Sequence, residues 1–212
     1  MPELAIKGFI IGVLVSAPMG PVGILCIQRT LNRGRWYGFV SGLGAALSDV
    51  IYAALTGLSI GLVHDIIETH QKPINIIGCI VLGLFGFFII RSNPVKNLKN
   101  RGESKSSYLR DFITSFLLTF SNALIVFLLL GLFARFTFTL PTDSFLNIIY
   151  GLGGIALGAI VWWFLITYIV SKMRSWFNIR SILILNRVVG VIILILSFAG
   201  IVLSFSSLYG KL

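Results

Sequence analysis

Six apolar stretches, each near the length that crosses a bilayer, constrain this chain more than any other feature. They cover about residues 4–27, 37–63, 73–90, 112–134, 145–170 and 188–209. A helix needs roughly 20 predominantly apolar residues to traverse hydrocarbon. The expected fold is therefore an all-α integral membrane protein with six transmembrane helices. Composition agrees: 57% of the 212 residues are hydrophobic and 11% are charged, against about 25% charged in soluble domains. Mean hydropathy is +0.97.

The formal net charge of +10 does not imply nucleic acid, because the basic residues lie between apolar runs and not in a basic domain. Their placement speaks to orientation and to contact with anionic lipid. Arg29, Arg33 and Arg35 follow the first run; Arg91, Lys96, Lys99, Arg101, Lys105 and Arg110 follow the third; Lys172, Arg174, Arg180 and Arg187 follow the fifth. Only Lys7, Lys72, Arg135 and Lys211 fall elsewhere. The excess of positive charge in odd-numbered loops predicts a multi-pass membrane protein with both termini outside and loops one, three and five in the cytoplasm. No basic leader or small-residue cleavage site precedes the first run, so the first helix is expected to remain in the mature chain. Cys26 and Cys79 both fall inside apolar runs, where cysteine acts as a small hydrophobe rather than as part of a disulfide framework.

Three runs precede the polar stretch 91–111 and three follow it. Read as one transmembrane domain over 1–212, the chain divides into a first three-helix repeat (1–90), a cytoplasmic linker (91–111) and a second three-helix repeat (112–212). An odd number of spans per half forces the halves into opposite orientations, the layout of inverted-repeat transporters. Gly42-Leu43-Gly44 and Gly151-Leu152-Gly153, each early in the second span of its half, form a short echo between them. The glycine stripes can serve a homodimer or be consumed within one bundle. Residues 172–187, with Trp176, Phe177 and Ile179 among basic residues, read as an interfacial amphipathic piece.

Polar interruptions inside the runs carry the chemistry. Ser16-Ala17-Pro18-Met19-Gly20-Pro21 places two prolines and a glycine in the middle of the first run. Each proline lacks an amide and clashes with the preceding turn, so the first helix is expected to break at Pro18–Pro21. The carbonyls of Leu14 and Ala17 lose their donors, which hydrocarbon tolerates only beside protein or a polar cavity. The half-helix after the break begins with N–H groups suited to a carboxylate. Asp49 lies near the middle of the second run, where a charge costs roughly 2.5–3.5 kcal/mol on insertion scales. Small residues at Gly38, Gly42, Ala46, Ala53 and Gly57 let a neighbouring helix approach on the same side. Asp49 thus reads as a proton- or cation-coupling carboxyl, with an interhelical hydrogen bond as the structural alternative. Asn122, beside Ser121 and Thr119, interrupts the fourth run at the place equivalent to the first break. Gln28 sits near the inner end of the first span. Trp162 and Trp163 lie deep in the fifth run, where they either wall a cavity or pack beside Gly158. His64, Glu68 and His70 make a poor metal set, and no nucleophile, zinc or nucleotide motif is present. No enzyme, cofactor or resident metal is expected.

These residues together resemble the LysE/RhtB family of amino-acid exporters. The resemblance rests on Gly12 through the Pro-Met-Gly-Pro break, then Arg29, Gly34, Gly38, Gly42 and Asp49, with later matches at Trp162-Trp163 and Asn186-Arg187-Val188-Val189-Gly190. Where the family shows Asn-Pro-Lys, this chain has Asn122-Ala123-Leu124. That departure removes a helix-breaking proline and a fixed cation, so the fourth span should be less broken than the family's, with the more distorted backbone in the first half. The family implies export of amino acids or similar small solutes, driven by the proton gradient. The expected site is Pro18, Met19, Gly20, Pro21 and Asn122 for substrate, with Asp49 for proton coupling, in an alternating-access cycle. A passive channel or metal-ion efflux protein is the main rival. A thiol-disulfide relay is a weaker one, since both cysteines belong to the first half.

Overall fold

The computed structural model describes residues 2–61, 71–91, 107–122, 124–140, 145–172 and 179–209. They form eight helices: α1 (Pro2–Ser16), α2 (Pro21–Arg33), α3 (Arg35–Gly61), α4 (Gln71–Arg91), α5 (Tyr108–Phe120), α6 (Leu124–Phe136), α7 (Phe145–Lys172) and α8 (Ile179–Tyr209), with no strand among the described residues. Helices α3, α7 and α8 hold runs of 25, 28 and 22 residues that are long and apolar enough to cross a membrane. Two further candidates are bent pairs, α1 with α2 at 80° and α5 with α6 at 72°. The apolar part of α4, Asn75–Arg91, is shorter.

The first helix breaks at the prolines as expected: α1 ends at Ser16, and Pro21 is the first residue of α2 with Gly20 as its N-cap; proline suits that position because the first amide of a helix has no partner anyway. Three features depart from the sequence reading. The fourth span, despite lacking a proline, bends almost as far as the first. The hydroxyls of Thr119 and Ser121 donate to the carbonyls of Ser115 and Leu117, and the Asn122 amide closes a tight turn on the Thr119 carbonyl. Such local bonds compete with the helical ladder and bend it without proline. Arg29 and Arg33 are not loop residues but belong to α2, and the chain turns into α3 at Gly34, whose φ of +105° favours glycine. Finally, residues 179–187 of the segment read as interfacial are continuous with α8, while Trp176 and Phe177 lie outside the described residues.

Close backbone contact holds the bundle together. A Cβ on Gly12 would collide with the Ile155 carbonyl, and one on Gly158 with the Phe9 carbonyl, so α1 and α7 touch main chain to main chain. Gly44 of α3 meets the Phe112 carbonyl of α5 in the same manner. Helices α4 and α8 form the third closely packed pair. One core cluster joins Leu82, Leu128, Leu132, Phe133 and Ile193; another joins Met19, Cys26, Ile166 and Trp163 around the first break. Beyond α6 the chain turns at Thr137 and buries Phe138 against Phe133, ring centroids 4.8 Å apart. Large apolar side chains such as Phe88, Ile195 and Phe198 stay exposed on α4 and α8, a pattern that bilayer contact explains and water would not.

Candidate functional site

The first break opens onto a cavity of about 600 Å³, within the size range of small-molecule sites. Its wall includes Ser16, Pro18, Met19, Gly20, Pro21, Asp49, Asn122, Trp163 and Asn186. All six residues singled out in the sequence as site candidates therefore share one chamber, with contributions from both halves of the chain.

The backbone around the break accounts for the polarity. Pro18 and Pro21 have no amide to offer the carbonyls of Leu14 and Ala17. The Met19 amide turns away from the Val15 carbonyl and donates to Asn186 Oδ1 at 2.7 Å. The Gly20 amide turns away from Ser16 and donates to the Pro18 carbonyl at 2.9 Å. Four successive carbonyls, from Leu14 to Ala17, thus lose their helical donors at the negative end of α1. Across the break, α2 starts with N–H groups on Val22 and Gly23 that precede its first helical bond, the one from Ile24 to Gly20. One break thereby presents acceptors on one side and donors on the other.

Asp49 is buried, at 3% exposure, and Ser16 Oγ donates to its Oδ2 at 2.8 Å. The small-residue side of α3 does turn it inward: Gly42 makes room for the Trp163 ring, and Gly57 for Leu140. Trp163 lines the chamber with its indole nitrogen buried and without a partner, and the Trp162 nitrogen is likewise buried and unpartnered. Asn122 lies at the rim of the second break, exposed, with Thr119 buried one turn before it. Tyr52, one turn after Asp49, donates its hydroxyl to the Phe120 carbonyl that ends α5, and its ring stacks on Phe120 at 5.2 Å.

Two groups were given no site role from the sequence. Asn186 inserts from α8 and bonds both polar groups of Met19, accepting from its amide and donating to its carbonyl at 3.1 Å. Its signal was weak, because it follows a basic stretch that resembles an interface. Asp111 is a second buried acid. Its side chain is fully enclosed, with Oδ1 3.2 Å from Arg29 Nη2 and Oδ2 2.7 Å from Arg33 Nη1. Arg29 also donates to the hydroxyls of Ser41, Thr114 and Ser115. This cluster ties α2 and α3 to α5, away from the chamber wall. Gln28 is exposed on α2 and does not line the chamber.

No group of three metal-ligating side chains occurs among the described residues; His64, Glu68 and His70 lie outside them. Cys26 and Cys79 are both free. Cys26 packs near Met19, whereas Cys79 lines a separate 210 Å³ pocket with Arg135.

A helical membrane protein with a largely apolar chamber at a broken helix, its polar groups gathered at the break and at Asp49, fits the class of small-solute translocators. The match to known families is specific: the model of the LysE type translocator covers residues 13–204, and the chain belongs to that family. It is therefore a transporter and not an enzyme. The chain is also similar to a protein of Bacillus subtilis (strain 168) named "Putative amino acid efflux protein YcgF", 28% identical over 201 residues that make up 89% of this chain and 90% of the relative. No solved structure matches the chain.

Proposed function

We propose that this translocator exports amino acids across the bacterial cytoplasmic membrane by alternating access, with export coupled to proton entry through Asp49. The observation that carries this reading is the Ser16–Asp49 hydrogen bond at the wall of the chamber beside the first break. A lone carboxyl there, within reach of a bound solute, can take up a proton or a substrate ammonium but not both. Exchange of the two at one group is a simple basis for antiport. Each elementary charge crossing the membrane is worth about 2.3 kcal/mol per 100 mV, enough for one proton to drive a useful gradient. In this reading Pro18, Met19, Gly20 and Pro21 supply backbone contacts, and Asn122 supplies a hydrogen bond from the second half.

The packing pattern supports two inverted three-helix halves. Broken α1–α2 packs on α7, broken α5–α6 packs on α3, and α4 packs on α8. An in-plane two-fold axis would exchange the halves in this way and put the solute site between them. Orientation follows from the odd-numbered loops, whose basic residues favour a cytoplasmic location and both termini outside.

Transport into and out of proteoliposomes under an imposed pH gradient tests the proposal. Wild-type flux of an amino acid should follow the gradient, and Asp49→Asn should abolish that dependence. Gradient-driven export that persists in Asp49→Asn would refute the coupling role. Flux indifferent to the gradient in the wild type would favour a passive channel.

A further inference from the structure

Among the described residues, the chamber wall contains two charged ones, Asp49 and Arg91. Arg91 is the last residue of α4; its guanidinium carbon lies 5.0 Å from the Phe87 ring centre, and it has no carboxylate partner among the described residues. Arg29 and Arg33 share Asp111, and Arg35 is packed against Phe164 and Tyr168 with two guanidinium nitrogens buried and unpartnered; none of the three lines the chamber. Two further donors address the chamber. The Trp163 indole N–H is buried without a partner, and the first amides of α2 carry the positive end of that helix. Most of the remaining wall is apolar, including Val22, Phe85, Phe88, Ile125 and Leu128.

From these groups we infer that Arg91 receives the substrate carboxylate and sets specificity for zwitterionic amino acids with uncharged, mainly apolar side chains. The inference rests on the exporter reading above and deepens it. An ammonium is met by Asp49 and the donor-less carbonyls at the end of α1. A carboxylate is met by Arg91, which offers a planar pair of N–H groups matched to two oxygens. Among the described residues of the wall no second acid remains for a basic side chain, and burying an unpaired ammonium among apolar residues is costly.

The test is transport in proteoliposomes with leucine, leucinamide and lysine as probes, for the wild type, Arg91→Gln and Arg91→Lys. Wild type should carry leucine at least about tenfold better, in kcat/KM, than leucinamide, which lacks the carboxylate, or lysine, which adds a charge. Arg91→Gln should raise the KM for leucine by about tenfold or more, and Arg91→Lys should recover part of the loss. Because Arg91→Lys keeps the positive charge that orients the loop, it separates recognition from topology. Should Arg91→Gln fail to accumulate in the membrane, the KM of Arg91→Lys decides, and an unchanged value overturns the inference. An unchanged leucine KM in Arg91→Gln overturns it as well, as does a wild type that prefers lysine or leucinamide. A wild type that exports none of the three and no other amino acid defeats the exporter reading itself.

Discussion

Asn186 stands in for the helix that Met19 has left: its Oδ1 accepts from the Met19 amide and its Nδ2 donates to the Met19 carbonyl, with both residues buried. The two bonds hold the apex of the first break to α8, 167 residues away in sequence. A buried amide and carbonyl left without partners cost about 1–3 kcal/mol each. Asn186→Ala is therefore expected to lower stability by about 2–5 kcal/mol and to disorganise the chamber wall. Asn186→Asp keeps the acceptor, loses the donor, and sets a carboxylate against the Met19 carbonyl. It should be as damaging as alanine despite its similar shape. Thermal unfolding in detergent, followed with substrate flux on the same preparations, checks both; an Asn186→Asp protein with wild-type stability would contradict the paired geometry.

The contrast between Asn186 and Asp49 shows what a single sequence discloses. Pro18, Pro21 and Asp49 were legible because each is costly in hydrocarbon on its own account, whatever surrounds it. Asn122 drew notice as a polar interruption of the fourth apolar run, and it lines the same chamber. Asn186 and Asp111 were not, because each borders a basic stretch where a polar residue has an ordinary solvated reading. Their importance comes from partners distant in sequence: Met19 in one case, and Arg29 and Arg33 in the other. The bend of the fourth span was also hidden, since it depends on side chains of Thr119 and Ser121 turning back on their own helix, not on a missing amide.

Asp111 neutralises two arginines inside the protein, so its removal should do more harm than its own bonds suggest. Taking one partner from a buried ion pair leaves an uncompensated charge and typically costs 3–5 kcal/mol. Asp111→Asn should fall near that range, roughly 3 kcal/mol or more, while breaking the exposed Glu3–Lys7 pair at 2.8 Å should leave stability nearly unchanged. Pairing Asp111→Asn with Arg33→Gln in a double-mutant cycle should show strong coupling, because the second change removes a charge that the first had stranded. Additive losses in unfolding free energy would show the pair to be independent.

Glycines of α7 divide sharply by what faces them. A Cβ at Gly158 would run into the Phe9 carbonyl of α1, whereas one at Gly153 meets nothing within 4 Å. The Gly158 obstacle is main chain, so the helices must separate and the substitution cannot be relieved by a rotamer. Gly158→Ala should destabilise by about 1–3 kcal/mol, and Gly153→Ala should be neutral or stabilising by about 0.5–1 kcal/mol from helix propensity alone. Comparing thermal midpoints of the two variants tests the close α1–α7 contact directly, and equal midpoints would argue against it.

Tyr52 connects the acid-bearing helix to the second break. One turn after Asp49, it donates to the Phe120 carbonyl at the end of α5, where the helical ladder stops before Asn122. That hydroxyl bond and the stacked ring join α3, one turn beyond Asp49, to the end of α5 beside Asn122. Tyr52→Phe preserves the stacking and removes the bond, so stability should fall by only about 0.5–1.5 kcal/mol. Transport should fall further than that loss implies, and mainly in kcat if the bond serves the conformational step more than solute binding. The discriminating measurement is the pair KM and kcat for amino-acid efflux in Tyr52→Phe: a raised KM with unchanged kcat would assign Tyr52 to the binding wall instead of to the link between the two breaks.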